Sequence, residues 1–568
     1  MAKTQESFRD QMRTFPWAQV LVIALVRFSE PITFTSLFPY CYFMVRDFGI
    51  AKSEAEVSMY SGYLSSIFAF CQMIMGFQWG RFADKHGRKP TLMIGLTGSI
   101  VSSLLLGFSK NYWTAFVARG ILGSLNGNVA VIRTLLGEVA TERKHQAIAF
   151  SVMPMVWQFG SILGPMIGGY LSGKGSRFDF LRPMTEKYPY ALPNITVALC
   201  VLGSMIVMMV FLEETHSKHK YRRDYFVELG DLIKKHIFGV TPKTRLWNTT
   251  VTTKRHTVIK SSSATLDEES PLLDSESELN SDDEDQCTSY TTPQPLRNPD
   301  QRRDSDASDD SVQSIGQVLS RRQSRALIRA YSMHEEGDDA NASYRALLTP
   351  AIFYAVICSF ITALHTTVFE EFIPVFLAYE VARDDDGKLS SKFPFRTSGG
   401  LQYSAEDTGT LLSSTGILGV FLIIVVFPYV DRNYDSLVTY KRFTAIFPVL
   451  YFCIPYLVFL ADYRIISHLA VYMVTCMKTL AHSMANPQIL LIIHNCSPAK
   501  HRAMINGATI SVNALARCIG PFVWGYLMTW GEENNISWLP WWSIVLMTLL
   551  AMYQSHFLRD SNDDDPEE

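Results

Sequence analysis

Several ionisable side chains fall inside otherwise apolar stretches of this 568-residue sequence. A charge there must pair or line water. Arg27 and Glu30 stand three apart, share a helix face and can partly neutralise each other. Arg119, Asn126 and Arg133 recur at seven-residue spacing, a single polar stripe on one helix. His365, Glu370 and Glu371 lie on another apolar segment, Lys478, His482 and Asn486 on a third, and Arg517 on a fourth. Such polar faces are expected to converge on a central aqueous chamber. A desolvated carboxyl holds its proton more tightly and an imidazole titrates near neutrality, so Glu30 and His365 suit proton uptake and release. The static alternative is an Arg27–Glu30 pair and a hydrogen-bonded core histidine. Glu370 and Glu371 could equally face water at the far end of their segment, and His482 alone reads as an interior histidine, lifted only by Lys478 one turn away. The inward cations Arg27, Arg119, Lys478 and Arg517 outnumber the firmly buried anions, which favours a substrate bearing carboxylate or phosphate.

The elements that position these groups are membrane spans. Mean hydropathy is only +0.09 because long apolar runs are averaged with polar ones. Windows of about twenty apolar residues place spans 1 to 6 near 17–45, 57–79, 90–109, 112–137, 146–172 and 189–212, and spans 7 to 12 near 350–380, 407–430, 439–461, 465–493, 503–530 and 538–557. The expected fold is an all-α polytopic membrane protein of twelve transmembrane helices in two six-helix halves. A polar N-terminus, 1–16, lacks a cleavage pattern, so the first span is expected to stay. Residues 213–347, rich in Ser, Asp, Glu and Arg, read as a disordered cytosolic linker between bundles 17–212 and 348–558, and 559–568 as an acidic tail. The net charge of -3 offers no basic excess for nucleic acid. The nine Cys show neither C-x-x-C spacing nor a Cys/His cluster, and no helix carries the His/Asp spacing of a metal cage. No cofactor, nucleotide-binding loop or paired nucleophile and base is found, so neither an enzyme nor an ATP-driven pump is indicated.

The halves read as copies. Gly164-Pro165-x-x-x-Gly169-Tyr170-Leu171 recurs as Gly520-Pro521-x-x-x-Gly525-Tyr526-Leu527, with His145-Gln146-Ala147 and His501-Arg502-Ala503 preceding them at one spacing. Glu30 stands nine residues before Pro39 and His365 nine before Pro374, which puts a carboxyl and an imidazole at corresponding depths. Parallel six-helix halves around an axis along the membrane normal are a transporter architecture with its site at mid-membrane. Basic residues at Arg81, Lys85, Arg88, Lys89, Arg143, Lys144, Lys500 and Arg502 put those ends in the cytosol, although 173–188 and 381–406 also carry Lys and Arg.

Between spans 2 and 3 lies Gly80-Arg81-Phe82-Ala83-Asp84-Lys85-His86-Gly87-Arg88-Lys89. Its two glycines allow close approach and an unusual turn, and Asp84 can accept from helix N-terminal amides. Such a loop could latch two rigid halves together. The motif resembles the signature loop of the major facilitator superfamily. Arg119-x-x-x-Gly123 and Gly160-x-x-x-Gly164-Pro165-x-x-Gly168-Gly169 are similar to further motifs of its drug and proton antiporter branches. The chain looks closest to the zinc-induced-facilitator-like group of fungi and plants, on Tyr188-Pro189-Tyr190-Ala191-Leu192-Pro193-Asn194, Phe211-Leu212-Glu213-Glu214-Thr215 and Ala516-Arg517-Cys518-Ile519-Gly520-Pro521. The resemblance implies a facilitator fold and alternating access, with span 5 sealing one side of the pathway; mere packing at its glycines is the alternative. The second-half counterpart, Phe427 to Tyr434, keeps Asp431 and Arg432 but lacks both glycines.

The functional expectation is a secondary active transporter, proton-coupled, exporting a small organic solute, an organic anion or drug-like compound, from the cytosol. A transporter-like receptor signalling through the linker is the alternative. Expected partners are a small-molecule substrate, protons and the lipid bilayer around a monomer. In the linker, Glu268 with Leu272 and Leu273 matches an acidic dileucine pattern read by sorting adaptors, which favours a vacuolar or lysosome-like membrane over the plasma membrane. Ser305, Ser308, Ser311 and Ser324 resemble kinase targets, where phosphate would change local charge. Tyr225, Phe226, Leu229 and Ile233 are spaced as a short amphipathic helix on the membrane.

Overall fold

The computed structural model describes residues 15–140, 143–173, 181–216, 219, 221–239, 349–497 and 502–558. The candidate sorting and phosphorylation residues Glu268, Leu272, Leu273, Ser305, Ser308, Ser311 and Ser324 lie outside them. The first half contains α1 (Trp17–Thr35), α2 (Cys41–Asp47), α3 (Glu56–His86), α4 (Arg88–Gly107), α5 (Tyr112–Leu125), α6 (Asn128–Val139), α7 (Arg143–Leu171), α8 (Arg182–Lys187) and α9 (Ala191–Phe211). After it comes α10 (Tyr225–Phe238). The second half contains α11 (Pro350–Ala378), α12 (Ala405–Phe421), α13 (Phe427–Asn433), α14 (Ser436–Thr444), α15 (Ile446–Cys453), α16 (Arg464–Cys496), α17 (Arg502–Glu533) and α18 (Trp538–Gln554). Six helical stretches among these are long and apolar enough by themselves to cross a membrane.

In the first half, two spans are broken where the sequence pattern runs on. Span 1 stops at Thr35, turns through 36–40 and resumes as α2. Span 4 stops at Leu125 and restarts at Asn128. The cause of the second break is Trp79 of α3. A methyl on Gly127 would lie 2.1 Å from its ring, so only glycine admits the indole, and the indole N–H donates to Ser124 O at 2.7 Å. The expected continuous stripe of Arg119, Asn126 and Arg133 is therefore divided between α5 and α6.

The glycines of span 5 serve close packing. A Cβ on Gly160 would strike Pro31, one on Gly164 Thr35 Oγ1, and one on Gly168 Ser36 O, all in span 1. Gly169 instead meets Gly409 of α12, where a Cβ on Gly409 would come 2.7 Å from Pro165 O and 2.8 Å from Gly169 Cα. The duplicated motif repeats this: Gly520 packs on Leu364 and Val368 of span 7, and a Cβ on Gly62 of α3 would come 2.2 Å from Pro521 O and 3.2 Å from Gly525 Cα. Small residues thus let the backbones of the two halves touch at two equivalent crossings.

Around these crossings the halves are hydrogen-bonded. Ser58 bonds Tyr379, Thr529 Oγ1 donates to Ala55 O at 2.8 Å, Met59 N donates to Thr529 Oγ1 at 3.2 Å, and Ser413 Oγ donates to Ile162 O at 2.9 Å. All lie toward the end opposite Gly87. At the Gly87 end, Arg133, Met155, Tyr429 and Asp431 are exposed.

The signature loop contracts to one residue, because α3 runs to His86 and α4 begins at Arg88. Gly87 adopts φ +104, where a side chain is strained. Gly80 is helical with open space around it, so the close approach expected there is absent. The expected capping role of Asp84 also falls to another residue: Asp84 is exposed and pairs with Arg88 at 3.3 Å, while Glu214 accepts from Arg88 N and Lys89 N, both at 3.0 Å. Arg88 also pairs with Glu138 at 2.8 Å and Lys89 with Asp224 at 2.5 Å. These bonds fasten the loop to its own half and to the start of the linker, not across to the second half. The linker therefore begins with ordered structure: His216 and His219 bond the Asp84 and Lys85 carbonyls, and Gly230 of α10 rests on Val210 O of α9.

Candidate functional site

The charged residues of the spans form three groups. In the first half, Arg27 and Glu30 form a buried ion pair, Asn126 Nδ2 donates to Glu30 Oε1 at 3.3 Å, and the Arg27 guanidinium lies 5.2 Å from the Trp157 ring centre. The break in span 4 is what frees Asn126 to reach span 1. Trp157 carried no sequence signal beyond being aromatic.

The second group lies between the halves. Arg119 is fully buried; its Nε donates to Leu64 O at 3.4 Å, while Nη1 and Nη2 have no hydrogen-bond partner among the described residues. The guanidinium sits over Phe68 at 4.9 Å and Phe34 at 5.8 Å, which replaces part of its lost hydration by cation–π attraction. Glu371 of α11 is buried, its Oε2 without a hydrogen-bond partner among the described residues, and interacts electrostatically with Arg119 and Arg517. Phe34, Ser65, Phe68, Ala69, Glu371 and Arg517 line a seam between the halves too tight for a water molecule. Glu371 is thus not at a solvated end. Ser65, beside it, is a serine among many that sequence gave no reason to single out.

The third group belongs to the second half. Lys478 Nζ donates to Glu370 Oε1 at 2.7 Å and lies 5.0 Å from the Phe369 ring centre. Lys478 is buried, whereas the Glu370 side chain is 46 % exposed. His365 is buried against Phe447, its Nδ1 2.9 Å from Tyr451 Oη and its Nε2 without a partner among the described residues. His482 is half-buried, its Nδ1 without a partner among the described residues, within electrostatic reach of Lys478, Glu370 and His365. Glu30 and His365, equivalent by repeat, are held in separate halves by different partners. Of the second-half loop, Asp431 accepts from the buried Gln488 at 3.0 Å and Arg432 is exposed.

Two repeated bundles, joined at two backbone crossings with charged groups along the seam, make the architecture of a secondary transporter. The Major Facilitator Superfamily model matches residues 23–521, and the chain belongs to that superfamily, with its twelve-helix all-α fold. It is 31 % identical over 97 % of its length, and 85 % of the relative's, to the major facilitator superfamily multidrug transporter mfsB of Aspergillus fumigatus. It is 24 % identical to the protein ZINC INDUCED FACILITATOR 1 of Arabidopsis thaliana, covering 96 % of this chain and 91 % of that one. Among solved structures, a D-xylose-proton symporter aligns with a TM-score of 0.59 at 11 % identity, covering 97 % of this chain and all of the other. The protein is an integral multi-pass membrane transporter.

Proposed function

We propose that this transporter is a proton-coupled exporter that carries a small organic solute, an organic anion or drug-like compound, out of the cytosol by alternating access. The observation that carries the reading is Glu371, a second-half carboxyl buried at the seam within electrostatic reach of Arg119 of the first half. When the halves rock, such a carboxyl exchanges a guanidinium neighbour for water or the reverse, and its proton affinity changes with each exchange. Glu30, held by Arg27 and Asn126, is the second proton-carrying carboxyl. His365 and His482 stand behind Glu370 and Lys478 as a relay on the second-half side. With the basic ends in the cytosol, the crossed end faces the lumen or outside, and the exposed Arg133 and Asp431 mark the cytosolic mouth. The name of the Aspergillus fumigatus relative, a multidrug transporter, supports transport of drug-like solutes.

The reading keeps bundles 17–212 and 348–558 around a cytosolic linker whose Glu268, Leu272 and Leu273 engage sorting adaptors and whose serines take phosphate. It places a monomer in a vacuolar or lysosome-like membrane. Sealed vesicles carrying the protein test it with a panel of fluorescent organic anions and drugs under an imposed proton gradient. Uptake should collapse with a protonophore, and Glu371→Gln should abolish gradient-driven uptake while sparing solute exchange. Uptake indifferent to the gradient defeats the proposal.

A further inference from the structure

The ordered start of the linker carries α10 to the outside of the bundle. Along α9, Leu199, Gly203, Ile206 and Val210 follow one another at steps of four, three and four, which is one helix face. Leu199 and Ile206 are exposed, and a Cβ on Gly203 would meet open space. The other side of α9 packs on α1, α4 and α7. In a membrane transporter the apolar face left over is turned to lipid. Val210 continues that row, yet it is buried, because Gly230 of α10 covers it: a Cβ on Gly230 would lie 2.2 Å from Val210 O. α10 therefore lies against the lipid-facing flank of span 6. It does so at the Gly87 end, where Lys89 Nζ donates to Met209 O at 2.7 Å.

α10 has two faces. Val227, Gly230, Asp231 and Lys234 share the inner side; the first three are buried, and Lys234 Nζ lies 5.2 Å from the Phe211 ring centre of α9. Tyr225, Phe226, Leu229 and Leu232 fall within about a third of the circumference on the outer side, and all four are exposed. An apolar arc of this width is what a helix turns toward an apolar phase, and here the bilayer lies alongside.

We propose that α10 is a membrane-surface helix, with Tyr225, Phe226, Leu229 and Leu232 sunk at the boundary of headgroups and acyl chains in the leaflet at the Gly87 end, and that this seat steadies the signature loop. The partner is the phospholipid bilayer itself; Arg222 and Lys235, exposed beside the apolar arc, meet its phosphates. The link to the loop is Asp224. One of its oxygens caps α10, accepting from Phe226 N at 3.0 Å and Val227 N at 3.3 Å, and the other pairs with Lys89 at 2.5 Å. A single carboxylate thus joins the helix seated in lipid to the junction of α3 and α4. The inference requires the membrane fold but neither a particular solute nor a proton, so it goes beyond the exporter reading and can fail without it.

The test uses the full-length protein, freed of native cysteines, in phosphatidylcholine nanodiscs, with a spin label placed in turn at Leu229→Cys, Leu232→Cys and Lys235→Cys. The ratio of collisions with oxygen to collisions with a water-soluble nickel chelate should be at least threefold higher at the first two than at Lys235→Cys. Equal ratios would mean that the arc faces water, and shielding of Leu229→Cys and Leu232→Cys from both reagents would mean that protein covers it, whether the chain's own linker or another copy; either result overturns the assignment. Hydrogen exchange of the segment holding the Arg88 and Lys89 amides, read by mass spectrometry, tests the coupling. Leu229→Asp combined with Leu232→Asp should speed that exchange at least threefold. Asp224→Asn, which still caps α10 but carries no charge for Lys89, should speed it as well while leaving the collision ratios unchanged, and it supplies the readout if the double variant misfolds. Parental exchange rates in either folded variant overturn the coupling.

Discussion

Gly62 of α3 and Gly525 of α17 cross with their backbones in van der Waals contact, and the relation is repeated by Gly409 and Gly169 across the other side of the interface. One sequence repeat thus builds both hinges on which the halves meet. Gly62→Leu or Gly409→Leu should force the crossed end apart and reduce transport by more than tenfold. Membrane-impermeant thiol reagents should then label a cysteine at Tyr379 in the variant and not in the parent. Full activity in Gly62→Leu would mean that this end never closes tightly.

Glu214 caps α4 and faces the strained Gly87. Glu214→Ala removes an acceptor for two backbone amides and should lower stability by about 1–2 kcal/mol, measured as thermal unfolding of the purified protein. Gly87→Ala should cost about 1–2 kcal/mol as well, because φ +104 is unfavourable for an L residue.

Glu370→Gln leaves the buried Lys478 ammonium without its counter-charge. Since the Glu370 side chain is 46 % exposed, water compensates in part, and a loss of about 1–2 kcal/mol is expected rather than the full cost of orphaning a buried ion. The double variant Glu370→Gln with Lys478→Met should recover most of that loss in the same unfolding assay. Equal destabilisation in the single and double variants would deny the pair.

Glu54, in the loop before α3, has its carboxyl raised above the ordinary 4.5 by desolvation and by Glu380 of the second half, with Arg46 opposing. A raised carboxyl means that the crossed end binds a proton more tightly than an opened end with Glu54 in water. Closure at this end should strengthen as pH falls toward the carboxylate range and weaken as it rises. Thiol labelling near Tyr379 should decrease with acidification, and Glu54→Gln should flatten that dependence.

Long apolar runs and a glycine-proline repeat made the bundle architecture readable from sequence, because membrane spans and close helix contacts both impose strict composition. The breaks in spans 1 and 4 were not readable, since they depend on what packs alongside; Trp79 becomes a wedge only when Gly127 lies opposite. Among the site residues, Arg27 with Glu30 followed from helical spacing, and Lys478 with Glu370 did not, because those two come from different spans. Asp84 and Glu214 show the same limit: either carboxylate could cap α4, and tertiary placement chose the one 126 residues from Arg88.

Alternating access demands that one end of the bundle open as the other closes. Electron-spin distance measurements read this directly from labels at Lys52 and Lys388 on the crossed end and at His86 and Tyr434 on the basic end, in a background freed of native cysteines. Between acidic and alkaline pH the Lys52–Lys388 distance is predicted to lengthen as the His86–Tyr434 distance shortens. Two distances that change in the same direction, or neither changing under any pH or solute, would contradict the account.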